Sequence, residues 1–296
     1  MKVLITGSTG FLGRHLTKHL KKLGWDLFEC NTKTANLMCD KNLHIFNKIK
    51  FDYIFHLAAH TKAGDYCLYH KGEQFEINQR INSNILKYWS DHQPQAKMIA
   101  MGTSCSYSPD LPMTEENYLK GEPEEGLYTY AMTKRMLLVG LKSYAEQYGL
   151  KWLYFVPSTL YGSDFEEWDN HFIFDFIKNC YQAKHNDKKF VIWGDGTARR
   201  ELIYVSDACK LMLKLLDRNN QIVNLGAGQD HSINQFAEYV CKAFDYNPEL
   251  IERDLTKYVG VKCKLLDVSK TYNPKELTPL REGLQKTIKW YIEKSK

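Results

Sequence analysis

The chain has 296 residues, 44% of them hydrophobic and 25% charged, which is the balance of a globular protein with a large core in one domain or two closely joined ones. Its formal charge of +5 is modest and its lysines are scattered, so no nucleic-acid partner is expected, and a ligand carrying a diphosphate suits that charge equally well. No apolar run approaches a membrane span and the N-terminus reads as a core strand instead of a signal peptide, which sets the expectation of a cytoplasmic protein without a membrane partner.

Residues 2–6 read as a short buried strand, followed by Gly7-Ser8-Thr9-Gly10-Phe11-Leu12-Gly13 and a helical pattern through Leu16, Leu20 and Leu23. Glycines thus fall at x, x+3 and x+6 between a strand and a helix. Gly7 permits the tight turn, Gly10 lets the backbone approach a pyrophosphate at the helix N-terminus, and Gly13 lets helix and strand pack closely. Thr9, Phe11 and Leu12 complete this expected dinucleotide turn. The second strand ends in Asp26-Leu27-Phe28-Glu29-Cys30-Asn31. NAD enzymes usually carry a carboxylate at that end, for the ribose 2′-hydroxyl. Counting from the glycine motif places Asn31 there with Lys33 just beyond, a pair that tolerates a 2′-phosphate. NADP is therefore expected, with NAD open if Glu29 ends the strand, and Asp40 is assigned to the adenine site.

Residues 51–57 form an apolar strand bounded by Ala58-Ala59, and Leu57, Ala58 and Ala59 are expected to line the cofactor. A helix over 73–90, a strand over 97–101, a helix over 127–148 and a strand over 152–156 follow. This alternation predicts an α/β fold, a Rossmann-type doubly wound parallel sheet with helices on both faces. The second half is punctuated by Pro157, Tyr161-Gly162, Gly194-Asp195-Gly196 and Gly226-Ala227-Gly228, with helices over 171–184, 206–217, 232–244 and 281–294. No internal repeat or low-complexity linker is present. The expected division is a dinucleotide-binding domain over 1–160, to which helices and a strand of the second half contribute. Residues 161–296 then form mainly a smaller, interleaved substrate lobe.

The chemistry is carried by Tyr130-Ala131-Met132-Thr133-Lys134, which follows the polar run Thr103-Ser104-Cys105. Positions i and i+4 share a helix face, so the Lys134 ammonium is expected near the Tyr130 phenol, lowering its pKa towards the working pH. Tyr128 is a rival acid, but it lacks a lysine at +4. The eight cysteines, at 30, 39, 67, 105, 180, 209, 241 and 263, include no Cys-x-x-Cys pair. They read as reduced thiols, and no metal site is expected.

The glycine motif, His56-Leu57-Ala58-Ala59, Thr103-Ser104-Cys105 and Tyr130-x-x-x-Lys134 stand in the order used by the extended short-chain dehydrogenase/reductase superfamily, which the chain resembles over nearly its whole length. Within it the chain looks most like the GDP-L-fucose synthases, the GDP-4-keto-6-deoxymannose epimerase-reductases. Thr103-Ser104-Cys105-Ser106-Tyr107, Pro112-Met113-Thr114-Glu115, Trp193-Gly194-Asp195-Gly196-Thr197 with Arg200-Glu201, and Lys264-Leu265-Leu266-Asp267 carry that closer likeness. One departure is Cys263, where the group has an arginine; another is the Thr-Ser-Cys-Ser-Tyr-Ser form of the cysteine motif.

The resemblance implies C3/C5 epimerisation and C4 reduction of a GDP-4-keto-6-deoxy sugar. Tyr130 would protonate the C4 oxygen, Thr103 would hold that oxygen with Ser104 beside it, and Lys134 would bond the nicotinamide ribose. Cys105 would be the base and His171 the acid of epimerisation, each of a type that titrates near neutrality. The residues alone leave Cys105 open as a small buried hydrophobe and His171 open as a helix cap. Trp193 would stack on the base or pack between the lobes, and Arg200, or Arg199, would bind the diphosphate. A C4-only reductase of a GDP-sugar such as a GDP-heptose, and a UDP-sugar 4-epimerase with bound NAD, stay open as alternatives. The superfamily's habit of pairing two long helices implies a homodimer.

Overall fold

The computed structural model describes residues 1–61, 66–169 and 171–296. In chain order the first half holds β1 (Lys2–Thr6), α1 (Phe11–Lys22), β2 (Asp26–Cys30), β3 (Tyr53–His56), α2 (Tyr66–Tyr69), α3 (Lys71–His92), β4 (Lys97–Met101), α4 (Tyr128–Tyr148) and β5 (Trp152–Pro157). The second half holds β6 (Thr159–Tyr161), α5 (Phe172–His185), β7 (Val191–Trp193), β8 (Arg199–Tyr204), α6 (Val205–Lys214), β9 (Gln221–Leu225), β10 (Asp230–Ser232), α7 (Ile233–Phe244), β11 (Glu252–Asp254) and α8 (Leu280–Ser295).

The main sheet has the order β2-β1-β3-β4-β5-β9, with every neighbouring pair parallel. Strands covered on both faces read as unbroken apolar runs, and successive residues serve opposite cores. Leu4, Ile54, Met98 and Tyr154 join Leu86 and Trp89 of α3 and Leu138 of α4 on one face. Val3, Ile5, Phe55, Ile99 and Leu153 join Leu16 and Leu20 of α1 and Met212 of α6 on the other. This is the doubly wound α/β fold that the alternation predicts. A third core, built from α5, α7 and α8 around Ile173, Phe236 and Leu284, belongs to the C-terminal lobe. There β10, β8 and β6 form one small sheet, and β11 and β7 another.

Strand order reverses between β1 and β3, and such a switch point opens a crevice at the C-terminal strand ends. Two backbones meet there. Gly7 has φ +68°, and a Cβ on it would lie 2.7 Å from the Ala58 nitrogen. A Cβ on Gly13 would lie 2.2 Å from the Gly7 carbonyl oxygen. The turn therefore fixes α1 against both strands.

The structure differs from the sequence reading at several element ends. α6 stops at Lys214 instead of continuing to 217. The buried Lys97 ammonium takes the carbonyls of Leu216 and Arg218, pulling them out of the helical pattern. A 3-10 turn, Glu125–Leu127, precedes α4. The three-residue strands β6, β7, β10 and β11 carry too few residues for an alternation to register.

Gly13→Ala is expected to destabilise the fold by about 1–3 kcal/mol through this backbone clash. Gly72→Ala, at a helical position with nothing within 4 Å of the added carbon, leaves stability unchanged or slightly raised. Urea titration of both variants checks the contrast.

Candidate active site

The dinucleotide turn is built for an anion. Gly10 is the N-cap of α1, no side chain caps it, and no acidic residue stands in the first turn. The uncapped N–H groups and the positive end of the helix dipole therefore face the crevice. Ser8 Oγ is buried there with no partner among the described residues. Ala58 donates its N–H to Thr6 Oγ1 at 3.3 Å, holding the Leu57-Ala58-Ala59 segment beside the turn. These features fit the pyrophosphate of a dinucleotide.

At the end of β2, Asn31 Oδ1 accepts the N–H groups of Lys33 at 2.9 Å and Thr34 at 3.2 Å. Asn31 thus shapes a tight turn that carries Lys33 out into solvent. Glu29, the residue that would favour a 2′-hydroxyl, is ion-paired with Lys21 at 2.8 Å. Asp40 is exposed at the start of a 3-10 segment, Asp40–Phe46, with its carboxylate on the N–H of Lys41 at 2.8 Å.

Beyond the crevice, the end of β4 and the first turns of α4 converge. Thr103 is buried, and its hydroxyl stands close enough to the Tyr130 phenol to act on its ionisation. Thr103 Oγ1 also accepts the Cys105 N–H at 3.3 Å, which starts a 3-10 turn and aims the thiol. Burial and the neighbouring Cys105 push the Tyr130 pKa up from its ordinary value. The Lys134 ammonium does not lie on the phenol as the i, i+4 spacing suggests. It is buried and donates to the Met101 carbonyl at 3.0 Å, and desolvation holds its pKa down at about 8. The expected lowering of the Tyr130 pKa is therefore absent, because α4 turns the lysine inward onto the strand end.

Cys105 is half-buried, and its sulfur lies 3.4 Å from Lys264 Nζ. Lys264 also pairs with Glu124 at 3.4 Å, and Glu124 holds both of its carboxylate oxygens buried without a hydrogen bond. His171 is the N-cap residue of α5, but its side chain does not cap the helix. The residue is exposed at the surface, but desolvation of the imidazole lowers its pKa to about 4, and the Lys264 and Arg200 cations add to that lowering. Ser104 lines a polar cavity of about 10 Å³ with Ser158, Arg200, Glu201 and Lys264. That is room for one water.

Arg200 is tied down: it donates to the carbonyls of Arg199 at 2.7 Å, Val261 at 2.8 Å and Val259 at 2.6 Å. A guanidinium has five N–H groups, so two are left for a ligand. Arg199 is spoken for by Asp230, at 2.9 and 2.8 Å, and Cys263 also donates to that carboxylate at 3.1 Å. Trp193 is 40% exposed, with the Lys257 ammonium 5.3 Å from its ring centroid, and so does not fill a core.

The structure thus gathers Thr103, Cys105, Tyr130, Lys264, Glu124, Arg200 and His171 into one charged cleft. Lys264, Glu124 and the buried Glu201 were not singled out from the sequence. The signal for Lys264 lay in the Lys264-Leu265-Leu266-Asp267 run, and that for Glu201 in Arg200-Glu201. Glu124 had none, since a glutamate in an acidic loop looks like a solvated one. Glu201 is 2% exposed and accepts the N–H groups of Gly228 at 2.6 Å and Leu266 at 3.1 Å. Burial pushes its carboxyl up to about 7.

Comparison with known proteins agrees with this fold. The chain is 28% identical to a GDP-L-colitose synthase of Yersinia pseudotuberculosis, covering 99% of this chain and 98% of that one. It is 27% identical to the GDP-L-fucose synthase of Escherichia coli, covering 99% and 97%. The crystal structure of a GDP-L-fucose synthetase from Naegleria fowleri bound to NADP superposes with a TM-score of 0.87 at 25% identity, over 99% of this chain and 93% of that one. Residues 3–226 match the model of the NAD dependent epimerase/dehydratase family, and the chain belongs to that family.

Proposed function

We propose that the protein is an NADP(H)-dependent epimerase-reductase that inverts C3 and C5 of a GDP-4-keto-6-deoxy sugar and reduces its C4 carbonyl. The observation that carries this reading is the placement of Cys105 and its Lys264 partner beside the Thr103–Tyr130 pair. A reductase alone needs only the second pair. The relatives named GDP-L-fucose synthase and GDP-L-colitose synthase support a GDP-linked sugar. The Asn31 turn with exposed Lys33, and the engagement of Glu29 by Lys21, support NADP.

Bound at the glycine turn, the dinucleotide would supply the hydride. The residues of the chain do the rest. Arg200, with its two spare N–H groups, would hold the diphosphate, and the open face of Trp193 would take the base. Thr103 and Tyr130 would hold the C4 oxygen. A C4 ketone acidifies the protons on C3 and C5, because the carbanion delocalises onto that oxygen. Cys105, with the Lys264 ammonium placed to hold a negative charge on sulfur, would remove the proton from one face, and His171 would return one from the other. Desolvation is the larger cause that disfavours a protonated His171, and the diphosphate would offset the part due to the two cations. Tyr130 stays a protonated phenol near neutrality, the form needed to donate to the C4 oxygen. Lys134 would bond the ribose.

We place the enzyme in the cytoplasm and infer a homodimer. Eight cysteines without a disulfide among the described residues are in keeping with a reducing compartment. The paired helices α3 and α4 expose Phe75 at 52%, Met136 at 45% and Val139 at 39%, apolar surface suited to a second copy of the same helix pair.

In deuterated water with NADPH and GDP-4-keto-6-deoxymannose, deuterium is expected at C3 and C5 together with NADPH loss. Cys105→Ser should lower the deuterium incorporation by about 10²–10⁴-fold, and Tyr130→Phe should lower NADPH loss to a similar degree while leaving incorporation in place. NADPH consumption without label at either carbon would leave a C4 reductase only. NADPH binding should weaken as pH rises through about 8, where Lys134 loses its charge, and Lys134→Met should give a flat profile by fluorescence titration. Sedimentation of Met136→Glu and Val139→Glu, expected to shift a dimer to monomer, checks the interface. A wild-type monomer would remove it.

A further inference from the structure

The first turn of α1 reaches in two directions. Arg14 Nη1 donates to the Thr9 carbonyl at 2.6 Å, inside the glycine turn. Its Nη2 donates to the Asp164 carbonyl at 2.8 Å and to the Asp169 carboxylate at 2.6 Å. One guanidinium thus joins the cofactor turn to the segment between β6 and α5. Its planar fork meets three acceptors that a lysine could not span at once. Both partners of the ion pair are sheltered, with 21% of the Arg14 side chain and 10% of the Asp169 side chain exposed, so water competes little for it.

Two further contacts make the same connection, and a third closes the segment on itself. His15, next in the chain, donates from Nε2 to the Ser163 carbonyl at 2.9 Å, since a carbonyl can only accept. The Asp169 oxygen that receives Arg14 also accepts the Glu166 N–H at 2.8 Å, which closes the segment on itself. Phe11 packs edge-on against Phe174 of α5 at 5.2 Å. A cation in the first turn of a helix is disfavoured by the helix dipole. Arg14 stands there nonetheless, and its partners are the cofactor turn on one side and Ser163–Asp169 on the other.

We propose that Arg14 is a positioning residue that couples dinucleotide binding to the order of Ser163–Asp169, the segment that leads to His171. A pyrophosphate at the turn fixes the Thr9 carbonyl. Arg14 is then held in the geometry that receives Asp164 and Asp169, and the start of α5 is set for the second substrate. The link to His171 rests on the reaction assigned above, whereas the coupling itself does not.

Hydrogen exchange followed by mass spectrometry on the full chain, with and without NADP, tests it. In the wild type, NADP is expected to slow amide exchange both at the glycine turn and across residues 160–169, the latter by at least about fivefold. Arg14→Gln should keep protection of the turn and lose it at 160–169. Asp169→Asn, which spares the helix, should do the same and serves where the arginine variant folds poorly. Lys18→Met, which removes only the exposed ion pair to Asp164, should behave as the wild type. Protection at 160–169 that survives in both Arg14→Gln and Asp169→Asn, or that is missing from the wild type, overturns the proposal. No sugar nucleotide is present, so that result would not bear on the reaction, and a wild type without C3/C5 exchange would not bear on the coupling.

Discussion

Two buried cations on one turn of α4 hold the site together. Lys134 and Arg135 are each 6% exposed, and both are satisfied by backbone carbonyls. Lys134 takes Met101, and Arg135 takes Ser106 at 2.9 and 2.6 Å, Gly121 at 2.7 Å and Lys120 at 3.0 Å. Ser106 Oγ returns a bond to the Ala131 carbonyl at 3.0 Å. Burying a charge is unfavourable unless its donors are filled, so these carbonyls cannot drift from the helix without stranding a cation. The stretch from Met101 to Ser106 is thereby pinned to α4. Thr103 and Cys105 lie within that stretch, and Tyr130 lies one turn before the cations.

The second half of the cleft depends on an anion. Glu201 is buried at the end of the small sheet and binds N–H groups from the loop after β9 and from Leu266. The loop after β9 issues from the main sheet, while Leu266 lies two residues from Lys264. One carboxylate therefore ties the C-terminal segment to the cofactor-binding lobe and delivers the Lys264 ammonium to the Cys105 sulfur. Gly226 belongs to the same arrangement, since a Cβ there would fall 2.4 Å from a Glu201 oxygen.

Electrostatics in the cleft are arranged for an anionic ligand. Arg200 and Lys264 face Glu124 and Cys105, and both cations lower the pKa of His171.

The long elements were legible in the sequence because each had a period to read. β1, the glycine turn and α1 are contiguous, and their apolar spacing and glycines are local properties of the chain. The same holds for β4 and α4, and for the grouping of Thr103, Cys105, Tyr130 and Lys134 by motif. The short strands were not legible, since three residues cannot show alternation, and the end of α6 was not, since a lysine from β4, more than a hundred residues away, takes the carbonyls of Leu216 and Arg218 just beyond it. The direction of Lys134 was misjudged for a related reason. The i, i+4 rule places two side chains on one face but does not say what that face packs against. The sequence by itself determined which residue types are available and the local geometry of turn and helix. Only the tertiary structure decided that Lys134 turns to a carbonyl, that Lys264 crosses 159 positions to reach Cys105, and that Glu201 is buried without a cation. Those outcomes depend on long-range packing and on where water is excluded, and neither is written in any short stretch of chain.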